Sequence, residues 1–214
     1  MIPSHRECSR RCEISDRYSV IDMYTVAVDK VIFSGVDLET TGLYPYLGDR
    51  ICEIGIVKFT LSSVLAEFST LVNPGLPLPR AARYINGITD EMVADAPSIA
   101  EVEDEFLAFI RNTVLVFHNA PFDLSFLINE LNSPIDNLVL DTLTIARRKF
   151  SFKSNTLEYL ARRLGVKSLP THRAMDDTRT VSEIMRKFIN TLKPRTLGDI
   201  LVMQGGSVQL TIDN

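Results

Sequence analysis

No run of about 18 apolar residues occurs in the sequence, so no membrane-crossing helix is expected. The first thirty residues also lack an apolar stretch of the secretory type; Arg6, Arg10, Arg11 and Arg17 are interleaved there with Glu7, Glu13 and Asp16, which predicts a cytoplasmic protein. Cysteine is scarce. Cys8, Cys12 and Cys52 form an odd set without the spacing of a disulfide framework, which fits a reducing compartment. His5, Cys8 and Cys12 fall short of the four ligands of a structural zinc site, so zinc is not expected. Internal repeats and low-complexity tracts are missing as well. With 45% hydrophobic residues and a net charge of only -4 over 214 residues, wholesale disorder is excluded and one domain with a real core is expected.

What is present is unevenly distributed. Residues 37–140 hold fifteen acids and five bases, whereas residues 141–195 hold five acids and thirteen bases. Local patches of one sign steer partners more than the total does, although solvated helix faces would give the same count. Residues 31–39 are β-branched and apolar until Asp37 and Glu39, and Thr40, Thr41 and Gly42 break the run, as at the end of a strand. Ile51–Phe59 and residues 64–72 read as two further strands joined by short turns. Ser98 and Glu101 have capping-box spacing ahead of Val102, Phe106, Phe109 and Ile110, which recur at helical intervals. Val114–Phe117 is a short buried strand in this reading, and a helix with Phe122, Phe126, Leu127 and Leu131 starts near Pro121.

Residues 138–140 make a fifth strand whose following residue, Asp141, is placed to cap a helix from Thr142. Asn155 with Glu158 predicts the next cap, on a helix that Gly165 closes. Val181, Ile184, Met185, Phe188, Ile189 and Leu192 stripe a last helix, which Pro194 ends. A three-strand meander followed by alternating helix and strand predicts an α/β fold. Its centre would be a five-stranded mixed sheet, antiparallel meander then parallel strands, with helices on both faces. The domain is expected over residues 31–194, between an N-terminal extension at 1–30 and a C-terminal tail at 195–214.

Three clusters carry chemistry. Asp37 and Glu39, two apart on an apolar strand, point to one face about 6.7 Å apart along the chain. Such a pair is tolerated if one acid is protonated, if both reach solvent, or if they bind a divalent cation. The second cluster is His118-Asn119-Ala120-Pro121-Phe122-Asp123, which sets Asp123 in a first helical turn, where the dipole favours an acid and the sheet end would present it. In the third, His172 and Asp177 would lie about 140° apart on one helix. They converge only if His172 is on the loop before the helix.

Together the clusters resemble a known pattern. Asp37-x-Glu39-Thr40-Thr41-Gly42, Asp123 within His-Asn-Ala-Pro-Phe-Asp, and His172-x-Ala174-x-x-Asp177 are similar to the motifs of the DEDDh 3′ to 5′ exonucleases. Within that group the chain most resembles the proofreading epsilon subunits of bacterial DNA polymerase III. The likeness runs roughly over residues 31–192, and Asn86-Gly87-Ile88-Thr89-Asp90-Glu91-Met92 extends it, with Asn86 where a histidine is usual. That departure is expected to touch only local helix packing and to leave the active site alone. The resemblance implies a ribonuclease H-like fold and removal of nucleoside monophosphates from DNA 3′ ends with two divalent cations, Mg²⁺ or Mn²⁺, for which carboxylates are the right ligands.

By the same resemblance Asp37 bridges both ions, Glu39 and Asp177 hold the ion beside the nucleophilic water, Asp123 supports the second ion, and His172 is the general base. Thr40, Thr41, Gly42, Leu43, His118, Asn119 and Phe122 would touch substrate, with Leu43 wedged against the terminal base. The implied partners are DNA with a single-stranded 3′ end and a polymerase subunit or sliding clamp. Two alternatives stay open: an RNA-trimming relative of the ribonuclease T or oligoribonuclease type, and an inactive polymerase-binding scaffold, although none of the five catalytic positions is lost. Arg147, Arg148, Lys149 and Lys153, with Phe150 and Phe152 interleaved, suit a single-strand track, or else the phenylalanines are core and the bases solvated. After Gly205 and Gly206, the alternating Val208, Leu210 and Ile212 suggest a peptide at 207–212 that docks on a partner.

Overall fold

A computed structural model describes residues 24–206. His5, Cys8, Cys12 and the proposed docking peptide at 207–212 lie outside the described residues. Three strands, β1 (Phe33–Thr40), β2 (Ile51–Phe59) and β3 (Val64–Leu71), open the fold. Helices α1 (Arg80–Asn86), α2 (Asp90–Val93) and α3 (Ile99–Ile110) follow. Then come β4 (Val114–Phe117), α4 (Ala120–Glu130), β5 (Val139–Asp141) and α5 (Thr142–Lys149). The chain continues through α6 (Leu157–Leu164), α7 (Ala174–Leu192) and α8 (Leu197–Gln204). The five strands form one sheet in the order β3-β2-β1-β4-β5. β1, β2 and β3 pair antiparallel, whereas β1 with β4 and β4 with β5 are parallel, which is the mixed sheet read from the sequence.

Strand alternation divides the core in two. Val36, Leu38, Ile54, Ile56, Leu115, Phe117 and Val139 join Val102, Phe106 and Ile110 of α3 and Leu124, Phe126 and Leu127 of α4 in one cluster. On the opposite face Phe33, Val57, Phe59, Val116 and Leu140 pack with Val181, Ile184, Met185 and Phe188 of α7. The second face therefore also carries Gly35, Asp37 and Glu39 of β1, which share the phase of Phe33.

Local signals explain most helix ends. Ser98 and Glu101 form the expected capping box on α3, and Asp141 accepts the Leu143 N–H at 3.0 Å to cap α5. The cap of α6 is corrected from Asn155 to Thr156, whose hydroxyl accepts the Tyr159 N–H at 3.3 Å. The capping residue is the one immediately before the first helical residue, here Leu157, and Asn155 is one position too early.

The expected boundary at residue 194 is also corrected. Leu197, Ile200 and Leu201 of α8 are buried in the α7-side core, and a Thr196–Asp199 capping box starts the helix. Gln204 covers the edge of β5, accepting the Asp141 N–H at 2.6 Å and donating to the Val139 carbonyl at 3.2 Å. At the other end, Val28 belongs to the same core and donates its N–H to the Arg195 carbonyl at 3.0 Å. Residues near 28 and 197–204 thus complete the domain and are not appendages. Leu201→Ala should cost about 2 to 5 kcal/mol, read as a lower midpoint in denaturant; an unchanged midpoint would show that α8 is dispensable to the core.

Candidate active site

β1 outruns β4, because their pairing stops at Gly35 and Val116. Beyond that point the Leu38 N–H has no strand partner and donates instead to Asp123 Oδ1 at 3.2 Å. One helix start and one strand end are thereby locked together, with Asp123 set between the backbone positions of Asp37 and Glu39. On the α7 side, two glycines permit close approach. A Cβ on Gly35 would collide with Ser182 Oγ, and one on Gly55 with the Ala174 backbone. Thr178 Oγ1 closes the contact by donating to the Gly55 carbonyl at 3.0 Å. The first turn of α7 consequently lies over β1 and β2, and Asp177 meets the strand carboxylates.

Asp37, Glu39 and Asp177 each offer an oxygen, and these atoms all lie within 4.8 Å of one another. Their electrostatics are those of an unneutralised acidic cluster. Burial, then Asp123, Asp177, Glu39 and Glu53, push Asp37 well above the usual carboxylate range. Burial, Asp177 and Glu53 push Glu39 up to about 8, against a hydrogen bond from Asn86 and the charge of Arg173. Burial likewise raises Asp123, opposed by the backbone N–H groups of Asp123 and Leu38, and raises Asp177, opposed chiefly by the Thr171 N–H. Hard oxygen donors held together at this cost suit a divalent cation, so the residues present fit the metal that the resemblance implies.

His172 stands outside α7, as convergence requires. It is exposed and has a left-handed φ of 57°. Thr171 before it donates its N–H to Asp177 Oδ1 and its hydroxyl to Asp176 Oδ2, both at 2.8 Å. The remaining expected contact residues divide. Thr40 Oγ1 donates to the Gly42 carbonyl at 2.6 Å, and Thr41 Oγ1 accepts the Arg50 N–H at 2.9 Å, so both hydroxyls shape the turn. That turn leaves Leu43 64% exposed. His118 Nδ1 lies 2.9 Å from Thr142 Oγ1, and burial lowers the imidazole pKa. Asn119, with φ 81°, gives its N–H to Asp141 Oδ1 at 2.8 Å, and Phe122 packs on Phe126 with centroids 5.2 Å apart.

Phe150 stacks on Phe152 and on buried Phe188, so the interleaved aromatics belong to the core. Arg147, Arg148, Lys149 and Lys153 are exposed.

Two residues of the site escaped sequence reasoning, and one expectation is corrected. Asn86 is buried and hydrogen-bonds Glu39, while its Oδ1 accepts the Ile88 N–H at 3.0 Å. The departure from histidine therefore falls at the acidic cluster and not only on helix packing. Glu53 lies directly opposite Glu39 in the sheet and pairs with Arg173 through Oε1 and Nη2 at 2.6 Å. A lone acid inside the apolar run Ile51–Phe59 was the available signal for it.

The pKa directions give a stability test. A carboxyl raised from 4.5 to about 8, as in Glu39, stabilises the fold fully below its unfolded value and loses that contribution as pH rises through the folded one. The metal-free protein should therefore melt at lower temperature at pH 8.5 than at pH 6.5. Millimolar Mg²⁺ or Mn²⁺ should raise the midpoint more at the higher pH. Equal midpoints without any cation effect would contradict an unneutralised cluster.

The site is a buried carboxylate cluster of the kind that suits a divalent cation, and the comparisons give the family. Residues 34–185 match the family described as Exonuclease (RNase_T). A DNA polymerase III subunit epsilon of Treponema pallidum is 37% identical over 177 residues, covering 79% of this chain and 82% of the relative. An epsilon-like protein of Rhodobacter capsulatus is 41% identical over 179 residues, 79% of this chain but 25% of the relative. A PolC-type DNA polymerase III of Caldanaerobacter subterraneus is 40% identical over 161 residues, 73% of this chain and 11% of the relative. The chain thus spans a quarter or less of those last two relatives. Among solved structures, exonuclease X in complex with 5′ overhanging duplex DNA superposes with a TM-score of 0.67 at 27% identity, covering 81% of this chain and 99% of that one. The chain belongs to the exonuclease family.

Proposed function

We propose that the protein is a divalent-metal-dependent 3′ to 5′ exonuclease that releases nucleoside monophosphates from DNA 3′ ends and serves proofreading beside a polymerase. The observation that carries the reading is the grouping of Asp37, Glu39 and Asp177 oxygens within 4.8 Å, with Asp123 and the exposed His172 alongside. The Treponema pallidum relative named as an epsilon subunit supports the proofreading role.

Asp37, Glu39 and Asp177 would hold Mg²⁺ or Mn²⁺, with Asp123 backing a second position. Cations bound there would lower the pKa of an attacking water and neutralise charge on the phosphoryl group and the leaving 3′ oxygen. The chain's own part is proton transfer and placement. His172 takes the water proton on its imidazole and, being exposed, returns it to solvent. The new bond joins water oxygen to phosphorus as the bond from phosphorus to the 3′ oxygen breaks, and that oxygen leaves as a hydroxyl with a proton taken from solvent. Leu43, held out by the Thr40–Gly42 turn, would press against the terminal base.

The test is incubation with matched 5′-labelled DNA and RNA oligonucleotides in Mg²⁺, Mn²⁺ or EDTA. A DNA ladder shortening from the 3′ end, absent in EDTA, is the expected result. Shortening of RNA alone would move the protein to RNA trimming, and no shortening of either would leave the scaffold.

A further inference from the structure

Glu53 is the fourth carboxylate on this face, yet it is not among the three whose oxygens converge. Its side chain is only 4% exposed, and both oxygens are committed elsewhere. Oε1 accepts from Arg173 Nε at 3.2 Å and from Nη2 at 2.6 Å. Oε2 accepts from Arg173 Nε at 3.0 Å and from the Ala174 backbone N–H at 2.9 Å. Arg173 is the N-cap position of α7 and its own side chain makes no cap. A carboxylate from the neighbouring strand therefore supplies the anion that a helix start favours.

Resting on the exonuclease reading above, we propose that Glu53 is a positioning residue for His172, fixing the base by holding Arg173 and Ala174 on β2. His172 sits between two anchors. Thr171 is tied to Asp177 and Asp176, and Arg173 to Glu53. With both neighbours held, the left-handed His172 has only its own torsions free, and its imidazole keeps one relation to the Asp37–Glu39–Asp177 group. The Arg173 guanidinium matches a carboxylate in a forked geometry that a neutral amide cannot reproduce. In Glu53→Gln the amide NH₂ would face either Arg173 or the Ala174 N–H, donor against donor.

Glu53→Gln should lower kcat by roughly 10- to 100-fold, the scale of a misplaced catalytic group, with KM within about threefold and the half-saturating Mn²⁺ concentration not raised. Amides of residues 170–175 should exchange with deuterium faster, a readout that needs no activity. In a His172→Ala background the same substitution should cost less than about threefold, since a residue acting through His172 has nothing left to place. Arg173→Gln, which leaves Glu53 in place and changes a side chain 41% exposed, should reproduce all three effects if Glu53→Gln does not fold.

A full additional loss in the His172→Ala background, or Mn²⁺ half-saturation weakened tenfold with exchange unchanged, overturns the positioning role and leaves the exonuclease reading intact. A parent protein that hydrolyses neither DNA nor RNA overturns both.

Discussion

Asp37→Ala is expected to fold normally and to hydrolyse nothing measurable. Its carboxylate stands on β1, whose Leu38 N–H holds Asp123, and offers an oxygen within 4.8 Å of oxygens of Glu39 and Asp177. Losing the proposed ligand should remove several kcal/mol of transition-state stabilisation, a fall in turnover of about 10⁴-fold or more. The fold should not suffer. Burial and four neighbouring acids already hold Asp37 far above its ordinary pKa, so its removal relieves repulsion and the metal-free melting temperature should hold or rise. Near-normal turnover by a correctly folded variant would end the metal-carboxylate reading, and a collapse of the melting temperature would make Asp37 structural.

His172→Ala should lose about 10² to 10⁴ in turnover, the range for a general base, while Mn²⁺ half-saturation changes little. The side chain is exposed, so no core contact is deleted. The backbone is the complication, because a φ of 57° suits few side chains. His172→Asn tests this, since asparagine tolerates the left-handed region but offers no base; it should be as slow as the alanine variant. If the asparagine variant recovered full activity, the role of position 172 would be conformational and the base would have to be sought elsewhere.

Much of this protein was legible in its residues. Period-two and helical spacing located all five strands and the helices that carry the site, because alternation reports which face of an element is apolar. Ser98 with Glu101 and Asp141 revealed their caps because capping is a contact over two or three residues. The four acids and the histidine of the resemblance stand where the local signals put them, on a strand end, in first helical turns and on a loop.

What lay beyond reach depends on which faces meet. Alternation does not say what covers a face, so α8 read as a tail until Leu197, Ile200 and Leu201 were seen in the core. Phe150 and Phe152 could not be assigned to core or surface until Phe188 was placed against them. Asn86 read as a matter of helix packing and Glu53 drew no reading, because their partners, Glu39 and Arg173, are distant in sequence. The sequence by itself determined the carboxylates and the elements that bear them. The close approach of α7 to Gly35 and Gly55 decided the rest, since carboxylates become a cluster, with raised pKa values and affinity for a cation, only when packing buries them within a few ångströms of one another.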